Sequence, residues 1–390
     1  MKIAYCTFGK AGDIRAWSGL DYHIVKSLGM QENVEVVYID ELSTKRNKNL
    51  QIVEKILVKL VRIFTGKIYD SGRTISLAKF YAKQIEKRIP SDVDVVFAPT
   101  SILMTYLKTD KIKVFYTDAE FVGMLNYYDS FANLSPLTIS QGVKIEEDAI
   151  NNCDLVLYAS DWAANGAKKN YKITNPEKIK VVPFGANMEF VERTENEVLQ
   201  IVESKDTNIC NLLLVGVEWK RKGCDLAVKI AKLLHERGVK VRLDIVGIKN
   251  PPIELPEYIV SHGFVSKATQ DGKNKINNLF ENAHFFILPT QAECFGVVYS
   301  EAASFALPSL TTNTGGVPTA VKDGVNGKIF ELSANENEYA DFIEKMLISP
   351  EEYRKFCVSS YNYYKTQLNW NVAGKNIVGY MRELGKQICE

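Results

Sequence analysis

The sequence predicts an α/β protein made of two doubly wound halves, each with a parallel sheet covered by helices on both faces. Short apolar runs rich in β-branched residues alternate with amphipathic helices along most of the 390 residues. Most of these runs lack a strict polar–apolar alternation, which is typical of parallel strands buried on both sides. The chain is longer than one hydrophobic core usually supports, so two domains are expected.

The first half contains six predicted strands. They are, in chain order, Lys2–Thr7, Val34–Ile39, Val93–Ala98, Lys113–Thr117, Leu155–Ala159 and Ile179–Val182. Ser18–Gly29 is predicted as the first crossover helix. Asp161 is predicted to cap a helix that extends through Lys169.

A second βα series follows a polar segment, from about Ala186 to Asn208, that is the predicted domain boundary. Its predicted strands are Asn211–Gly216, Val241–Gly247, His284–Pro289, Ser309–Thr312 and Lys328–Phe330. The chain beyond about Asn337 is predicted to be mostly helical. In such folds the ligand is expected at the carboxyl ends of the strands, in a cleft between the halves.

Composition and charge argue against several classes of function. The net charge of +1 does not indicate a nucleic-acid-binding protein, and no apolar run reaches the roughly 18 residues of a membrane span. The N-terminus is typical of a strand and a glycine-bearing loop rather than a signal peptide. The seven cysteines are scattered without a CxxC pair, which favours reduced thiols over disulfides or a zinc site. A cytoplasmic protein without a metal is expected.

Two glutamates, Glu293 and Glu301, bracket the apolar stretch ECFGVVYSE. The helix after the strand HFFIL is predicted to begin near Phe295 or Gly296, so Glu293 lies in the loop and Glu301 about one and a half turns into the helix. The start of this helix would offer free N–H groups and a positive dipole end to an anion. The alternative is a helix cap at Glu293 and a surface charge at Glu301.

This stretch resembles the EX7E element of the retaining nucleotide-sugar glycosyltransferases of family four, which have the GT-B fold. The likeness includes the approach LPTQAECFG and the exit EAASFALPSLTTNTGGVPTAVKDGVNGKIF. It extends to LLLVGVEWKRKGCDLAVKIAKLL, VRLDIVG, DLVLYASDWAA and VVPFGAN, and so covers nearly the whole chain. The resemblance implies two Rossmann-like domains that face a cleft, residues 1–186 and 187–369, with a C-terminal helix at about 370–390 returning to the first.

The resemblance also implies roles for the carboxylates and the adjoining backbone. Glu293 would bond a hydroxyl of the donor sugar, and Glu301 would accept hydrogen bonds from the ribose. The backbone N–H groups implied to meet the sugar and the pyrophosphate belong to Phe295, Gly296, Val297 and Val298.

Lys220, Arg221 and Lys222 precede Gly223, and a diphosphate leaving group needs positive charge as the sugar bond breaks. Lys222 matches the lysine that the family has just before this glycine. Many members carry an arginine just after the glycine that ends the strand, where this chain has Val217. Arg221 is the candidate that replaces it. The alternative is a solvated basic turn.

Two further candidates lie in the first domain. Gly19, in the loop FGKAGDIRAWSG, is a candidate for the donor-binding loop, and a plain tight turn is the alternative. Asp118, in YTDAE, ends a strand at the expected cleft. Several relatives use a histidine in this region, and none of the four histidines falls here, so Asp118 is the candidate substitute. A structural role is its alternative. His262 is expected to be structural or near the base of the nucleotide, and His284 to lie at the edge of the core.

The segment from Thr44 to Pro90 is strongly basic. Its basic residues are Lys45, Arg46, Lys48, Lys55, Lys59, Arg62, Lys67, Arg73, Lys79, Lys83, Lys87 and Arg88, against three acidic residues. Apolar residues recur at helical spacing from Ile52 to Phe64, which predicts a basic amphipathic helix suited to an anionic membrane surface. The alternative is a helix packed on its own sheet. The family resemblance favours the helix on a membrane surface, because many members glycosylate lipid-linked acceptors.

The predicted function is a metal-independent, retaining glycosyltransferase that moves a sugar from a UDP- or GDP-sugar to an acceptor hydroxyl. Glycan, polysaccharide or glycolipid biosynthesis is the expected setting, with no further cofactor and with peripheral attachment at the inner face of the membrane. The main alternative is an inactive GT-B chain that acts as a chaperone or acceptor-recognition subunit. An epimerase or phosphorylase on the same fold is another. The joint presence of Glu293, Glu301 and Lys222 favours the transferase.

Overall fold

The computed structural model describes residues 1–14, 16–45, 48–188, 191–206 and 208–389. The chain divides into two compact units, of which unit 1 comprises Met1–Val182 with Ala373–Glu390 and unit 2 comprises Pro183–Val372. The divisions fall at 182/183 and 372/373, where the sequence predicts 186/187 and 369/370.

The core of unit 1 is a six-stranded parallel sheet in the order β2-β1-β3-β4-β5-β6. Its strands are β1 (Lys2–Cys6), β2 (Glu35–Ile39), β3 (Val95–Ala98), β4 (Ile112–Thr117), β5 (Leu155–Tyr158) and β6 (Ile179–Val181). All six strands were predicted, with ends that differ by at most two residues. Strands β3 and β5 are buried along their whole length, in agreement with their continuous apolar sequences.

Six helices precede the unit boundary in the described part of unit 1. They are α1 (Leu20–Gly29), α2 (Lys48–Thr65), α3 (Ile75–Glu86), α4 (Phe121–Met124), α5 (Pro136–Asn152) and α6 (Asp161–Asn170). The predicted start of α1 at Ser18 is wrong, because Trp17 and Ser18 have left-handed φ angles of 46° and 56°. The predicted cap at Asp161 is also wrong. The hydroxyl of Ser160 accepts the Ala163 N–H and caps α6, and Asp161 is the first helical residue.

Unit 2 contains a second six-stranded parallel sheet, in the order β12-β11-β10-β7-β8-β9. Its strands are β7 (Cys210–Val215), β8 (Val241–Val246), β9 (Ile259–Ser261), β10 (Phe285–Leu288), β11 (Ser309–Thr312) and β12 (Gly327–Phe330). Five of them were predicted. The edge strand β9 was missed because its three residues are too few to show a periodic pattern.

The helices of unit 2 cover both faces of this sheet and fill the predicted helical C-terminal part. They are α7 (Glu195–Glu203), α8 (Cys224–Glu236), α9 (Gln270–Asn282), α10 (Val297–Ser304), α11 (Val317–Ala320), α12 (Glu336–Leu347) and α13 (Pro350–Gln367). Helix α7 lies within the polar segment that the sequence assigns to the boundary. No described helix is both long enough and apolar enough to cross a bilayer.

The last helix, α14 (Trp370–Cys389), begins in unit 2, but its residues from Ala373 onward belong to unit 1. A Cβ added at Gly374 would collide with the carbonyl oxygen of Ser27, so α14 runs directly against the end of α1. Arg382 Nη2 donates a hydrogen bond to the Glu32 carbonyl oxygen at 2.5 Å. The predicted return of the C-terminal helix to the first domain is confirmed.

Candidate functional site

The candidate donor site of unit 2 is formed by two loops that leave neighbouring strands at the same edge of the sheet. Strands β7 and β10 are adjacent and parallel, with Leu212 opposite Phe285. The loop after β7 carries Arg221 and Lys222, and the loop after β10 carries Glu293. The parallel sheet therefore brings together residues that are 71 positions apart in sequence.

Gly223 allows the two loops to meet. Its φ of 69° is left-handed, and a Cβ at this position would collide with the carbonyl oxygen of Pro289, at the end of β10. Gly223 is also the N-cap of α8, so the turn directs Lys222 toward the loop after β10. Larger residues at position 223 would force the loops apart.

Lys222 forms a buried ion pair with Glu293. The Lys222 ammonium donates a hydrogen bond to Glu293 Oε2, and the two residues are only 9% and 8% exposed. Neither could be held charged at this depth without the other. The Glu293 carbonyl also accepts the Gly316 N–H at 2.9 Å, which ties the loop to the segment after β11. Glu293 is therefore held by an ion pair of its side chain and by a hydrogen bond of its backbone.

Arg221 holds the shape of the same loop. Its guanidinium donates to the Ala292 carbonyl at 3.1 Å and to Glu218 Oε1 at 2.7 Å, and Nη1 lies 3.6 Å from Glu293 Oε2. Its carbonyl accepts hydrogen bonds from Gln291 N–H and Thr290 Oγ1. Arg221 thus adds a second positive charge beside Glu293 and positions the loop that bears it.

Helix α10 begins directly after Glu293, with Gly296 as its N-cap at a φ of 82°. A Cβ at Gly296 would lie 2.5 Å from the Tyr299 ring and 3.0 Å from Glu293 Cγ, so only glycine fits between them. The first N–H groups of the helix have no acceptor within it, and they carry the positive end of its dipole. This helix start adjoins the Lys222–Glu293 pair.

Glu301 lies in the middle of α10 and is only 2% exposed. Its Oε1 accepts a hydrogen bond from the Lys267 ammonium at 2.5 Å, and the Lys267 side chain is one-third exposed. The alternative of a surface charge at Glu301 is therefore wrong, and so is that of a helix cap at Glu293, because Gly296 occupies that position. Both glutamates are buried, and each forms an ion pair with a lysine.

The remaining donor-site candidates surround the start of α10. Phe295 is buried and packs edge-on against Phe184, with ring centroids 5.4 Å apart. Val297 is half-buried and Val298 is buried. What these residues can offer a ligand is the backbone N–H groups at the start of α10.

The two candidates of unit 1 lie at the carboxyl edge of its own sheet. Asp118 directly follows β4 and is half-buried. Gly19 has a φ of 87° and is the N-cap of α1, directly after the irregular turn at Trp17 and Ser18. Each is positioned by a strand-to-helix connection, as are the candidates of unit 2.

Lys267 is the site residue that the sequence analysis missed. It lies in the loop between β9 and α9, and without a predicted β9 this loop could not be placed at the sheet edge. The signal that would have revealed it is the short apolar run YIVS followed by a glycine and a basic loop.

The histidines have structural partners. His262 Nε2 lies 2.7 Å from Asp244 Oδ1, and Asp244 accepts two hydrogen bonds of 2.9 Å from Arg242. His284 is buried, and its Nδ1 accepts the Asn211 N–H at 3.1 Å. Within the part of the chain that the structure describes, no three His, Cys, Asp or Glu side chains are grouped as they would be around a metal ion.

The fold and the site define a class. Two parallel Rossmann-like units, with a buried lysine–glutamate pair beside a helix start and a C-terminal helix that returns to the first unit, make this a GT-B-type protein. Its fold matches that of sucrose-phosphate synthase from Thermosynechococcus elongatus, with a TM-score of 0.68 at 13% identity, over 99% of this chain and 100% of that one. It also matches HepE from Anabaena, whose structure contains UDP and glucose, with a TM-score of 0.63 at 13% identity, over 98% and 99% of the two chains.

The C-terminal half is similar in sequence to a known family. Residues 199–362 match the family model of glycosyl transferases group 1. A similar curated protein is the D-inositol 3-phosphate glycosyltransferase of Nocardiopsis dassonvillei, with 24% identity over 240 residues, which are 58% of this chain and 55% of that relative. The chain thus spans about half the length of the curated relatives it matches.

Proposed function

We propose that the chain is a retaining glycosyltransferase that transfers a sugar from a nucleotide-sugar to an acceptor hydroxyl, in glycan, polysaccharide or glycolipid biosynthesis. In this reaction the bond from the anomeric carbon to the diphosphate breaks, and the diphosphate leaves with the electron pair. The acceptor oxygen then bonds to the anomeric carbon, and its proton passes to the departing diphosphate or to water.

The observation that carries this proposal is the buried Lys222–Glu293 pair beside the start of α10. As the diphosphate departs, its negative charge grows, and the Lys222 ammonium, Arg221 and the helix start supply the opposing charge in a site with little water. Glu293 then bonds a sugar hydroxyl and stabilises positive charge that develops on the ring. A resting pair keeps both side chains charged until the donor arrives.

Glu301 is proposed to bind the ribose of the donor. Its carboxylate is buried and held by Lys267, whose side chain is long and partly exposed. Ribose hydroxyls can hydrogen-bond the second carboxylate oxygen, or replace the lysine on the first. The same contact exists before and during the reaction, so it supports binding more than catalysis.

The donor is proposed to be a UDP- or GDP-sugar, without a further cofactor. The similar fold of HepE, which was solved with UDP and glucose, makes UDP-glucose the first donor to test. Unit 1 is proposed to recognise the acceptor through Asp118, and Gly19 is proposed as a donor-binding residue.

A thermal-shift screen of the full chain against UDP-, GDP- and ADP-sugars tests donor binding. A donor at about 100 times its dissociation constant should stabilise the protein by about 2.7 kcal/mol. Release of free sugar and nucleoside diphosphate from the bound donor then tests catalysis. Binding without any release, also in the presence of acceptors, would favour the inactive acceptor-recognition subunit. No binding of any nucleotide-sugar would contradict the proposal.

We further propose that α2 attaches unit 1 to an anionic membrane surface at the cytoplasmic face. Six of its apolar side chains are 44% to 79% exposed, namely Ile52, Val53, Ile56, Leu60, Ile63 and Phe64. The spacing of Ile52, Ile56, Leu60 and Phe64 places them along one side of the helix. This side of α2 is exposed, whereas the alternative required it to be packed on the sheet.

The charges of α2 adjoin this apolar side. Lys55, Lys59 and Arg62 are exposed, at positions that flank Ile52, Ile56 and Ile63 on the helical wheel. Glu54 is buried and so faces away from any surface that the helix would touch. Apolar residues with a basic flank are the pattern of an interfacial helix. Of the twelve basic residues in the segment, Arg46 lies outside the described residues.

Vesicle flotation tests this attachment. The protein should float with vesicles that contain an anionic lipid, and each basic residue near the surface should contribute about 1 kcal/mol. The triple change of Lys55, Lys59 and Arg62 to glutamate should release it, and 1 M salt should weaken it. Reversal of three exposed lysines elsewhere (Lys229, Lys273 and Lys322) is the matched control. Equal recovery with neutral and anionic vesicles would mean that α2 is only a solvated face and would point to a soluble acceptor.

A further inference from the structure

A second charged site lies at the opposite edge of the unit 2 sheet from the donor site. A cavity of about 260 Å³ opens at the amino ends of the strands, where Cys210 begins β7, Lys240 precedes β8 and His284 precedes β10. Its volume corresponds to roughly nine water molecules of about 30 Å³ each, so it can hold a small solute.

Lys205 is the unusual residue of this cavity. It follows the end of α7, lines the cavity and is only 5% exposed. Among the described residues its ammonium nitrogen has no hydrogen-bond partner and no ion pair, although Nζ is buried. Burial lowers the pKa of this lysine below its usual range. Lysines at such depth normally have a carboxylate partner, so a partner is missing here.

The other polar groups of the cavity fit an anion. Lys240 and Arg354 add two cations, and the acidic residue of the lining, Glu203, lies 3.6 Å from Arg354 and is paired with it. Asp206 lies nearby and is held by the backbone and side-chain amides of Asn208. The three basic residues, Lys205, Lys240 and Arg354, therefore outnumber the two acidic residues, Glu203 and Asp206, by one.

His284 adds a hydrogen-bond donor. Its Nδ1 accepts the Asn211 N–H, so the ring proton resides on Nε2. Burial, with the nearby Lys205 charge, lowers the pKa of His284 to about 4, so the ring is neutral at neutral pH and does not repel a cation beside it. A neutral donor and an unpartnered ammonium in the lining of one cavity are groups that bind an oxyanion.

We propose that this cavity binds a phosphate group, as inorganic phosphate or as a phosphate monoester, with the Lys205 ammonium as its principal cation. The bound phosphate supplies the acceptor that the lysine lacks. Because the site lies at the amino edge of the sheet, a ligand there stabilises unit 2 without occupying the proposed donor site.

Phosphate titration of the full chain, at constant ionic strength set with chloride, tests this. Inorganic phosphate at tenfold its dissociation constant should raise the melting temperature by roughly 2 to 4 °C, and calorimetry should show saturable binding. Lys222 offers phosphate a second possible site, so Lys222→Met is the key control and should retain the effect. Lys205→Met should abolish it, and exposed Lys229→Met should not.

The same variants also test the stability of the protein without phosphate. Lys205→Met should be at least as stable as the wild type without phosphate, because it replaces an unpartnered buried ammonium by an apolar chain of similar length. Loss of the phosphate effect in Lys222→Met rather than Lys205→Met overturns the proposal, as does a Lys205→Met protein that is less stable in chloride alone. If Lys205→Met does not fold, Arg354→Met decides: it should weaken phosphate binding at least about threefold, and an unchanged affinity overturns the proposal.

A parallel titration with glucose 6-phosphate distinguishes the two sources of phosphate. Tighter binding of the ester supports a phosphorylated sugar as the ligand, and tighter binding of inorganic phosphate supports the free ion. Binding of neither contradicts the proposal.

Discussion

Glu120 and Glu146 are buried in unit 1, Glu293 and Glu301 are buried in unit 2, and the two pairs are held in opposite ways. In unit 1, Glu120 accepts hydrogen bonds from Val122 N–H, Gly123 N–H, Asn170 and Tyr171 at 2.6 to 2.9 Å. In the same unit, Glu146 accepts from Ser101 at 2.6 Å and from Tyr158 at 3.3 Å. In unit 2, by contrast, each glutamate accepts a hydrogen bond from a lysine ammonium. Glu293 is paired with Lys222 in the loop after β7, and Glu301 with Lys267 in the loop after β9.

The difference separates structural carboxylates from carboxylates that can bind a ligand. The partners of Glu120 are two backbone amides of α4 and the side chains of Asn170 and Tyr171 at the end of α6, and these groups are fixed by the fold. Lysines have long flexible side chains, so Lys222 and Lys267 can turn toward an anionic ligand while the glutamates bond its hydroxyls. Burial alone therefore does not identify a site, whereas the kind of partner does.

The largest expected effect is on turnover. Lys222→Met should lower kcat about 100- to 1000-fold with little change in KM, because the charge it meets grows as the bond breaks. The neighbouring Lys220, which is exposed, is the control, and Lys220→Met should stay close to wild type. Steady-state kinetics with the identified donor measures both. A change in KM alone would contradict the role of Lys222.

The next effect is on stability and concerns unit 1. Glu120→Ala should reduce the free energy of unfolding by about 2 to 4 kcal/mol, because several buried donors lose their acceptor. Asp118→Asn, two residues away, is the matched control and should affect stability much less while it slows transfer to the acceptor. Urea unfolding and transfer assays decide between them. If the two variants behaved alike, the division into structural and ligand-binding carboxylates would fail.

A smaller effect is expected on donor binding. Glu301→Gln should raise the KM for the donor about tenfold or more, since a hydrogen bond to a charged group contributes about 1.5 to 3 kcal/mol, and kcat should change little. Lys267→Met should change KM in the same direction but less, because its side chain is partly exposed. A Lys267 variant more impaired than the Glu301 variant would show that the lysine, not the glutamate, holds the donor.

The pH dependence of stability should distinguish Glu146. Burial raises its pKa from 4.5 to about 7 in the folded chain. Between these two values the folded state holds a proton that the unfolded state has released, so stability falls as pH rises, by up to about 1.4 kcal/mol per pH unit. Glu146→Gln should flatten this slope, and the exposed Glu177→Gln should not. Unfolding curves from pH 4.5 to 7.5 test it, and an identical slope in all three proteins would contradict a buried, titrating Glu146.

The smallest effect is expected from chelation. Transfer in EDTA should be close to that in magnesium, because Lys222, Arg221 and the start of α10 supply the charge that a departing diphosphate needs. Initial rates in the two buffers measure this. Complete loss with EDTA that manganese restores would show that these cations are not sufficient.

Local patterns in the sequence were enough to predict eleven of the twelve described strands and the end of the chain as helix. The reason is that buried parallel strands are continuous apolar runs, and this signal needs no distant partner. It failed at β9, which is too short, and at the starts of α1 and α6. There, a left-handed turn at Ser18 and a hydroxyl cap at Ser160 determined the helix start.

By itself, the sequence determined the two-unit α/β architecture and the positions of Glu293, Glu301 and Lys222, because each lies at a fixed offset from a strand or a glycine. Only the tertiary structure decided which lysine pairs with which glutamate, and that Lys205 is left without a described partner. It also decided that the apolar side of α2 is exposed. These features depend on contacts between segments 34 to 71 residues apart, or on which face of a helix is covered, and periodicity along the chain carries no information about either.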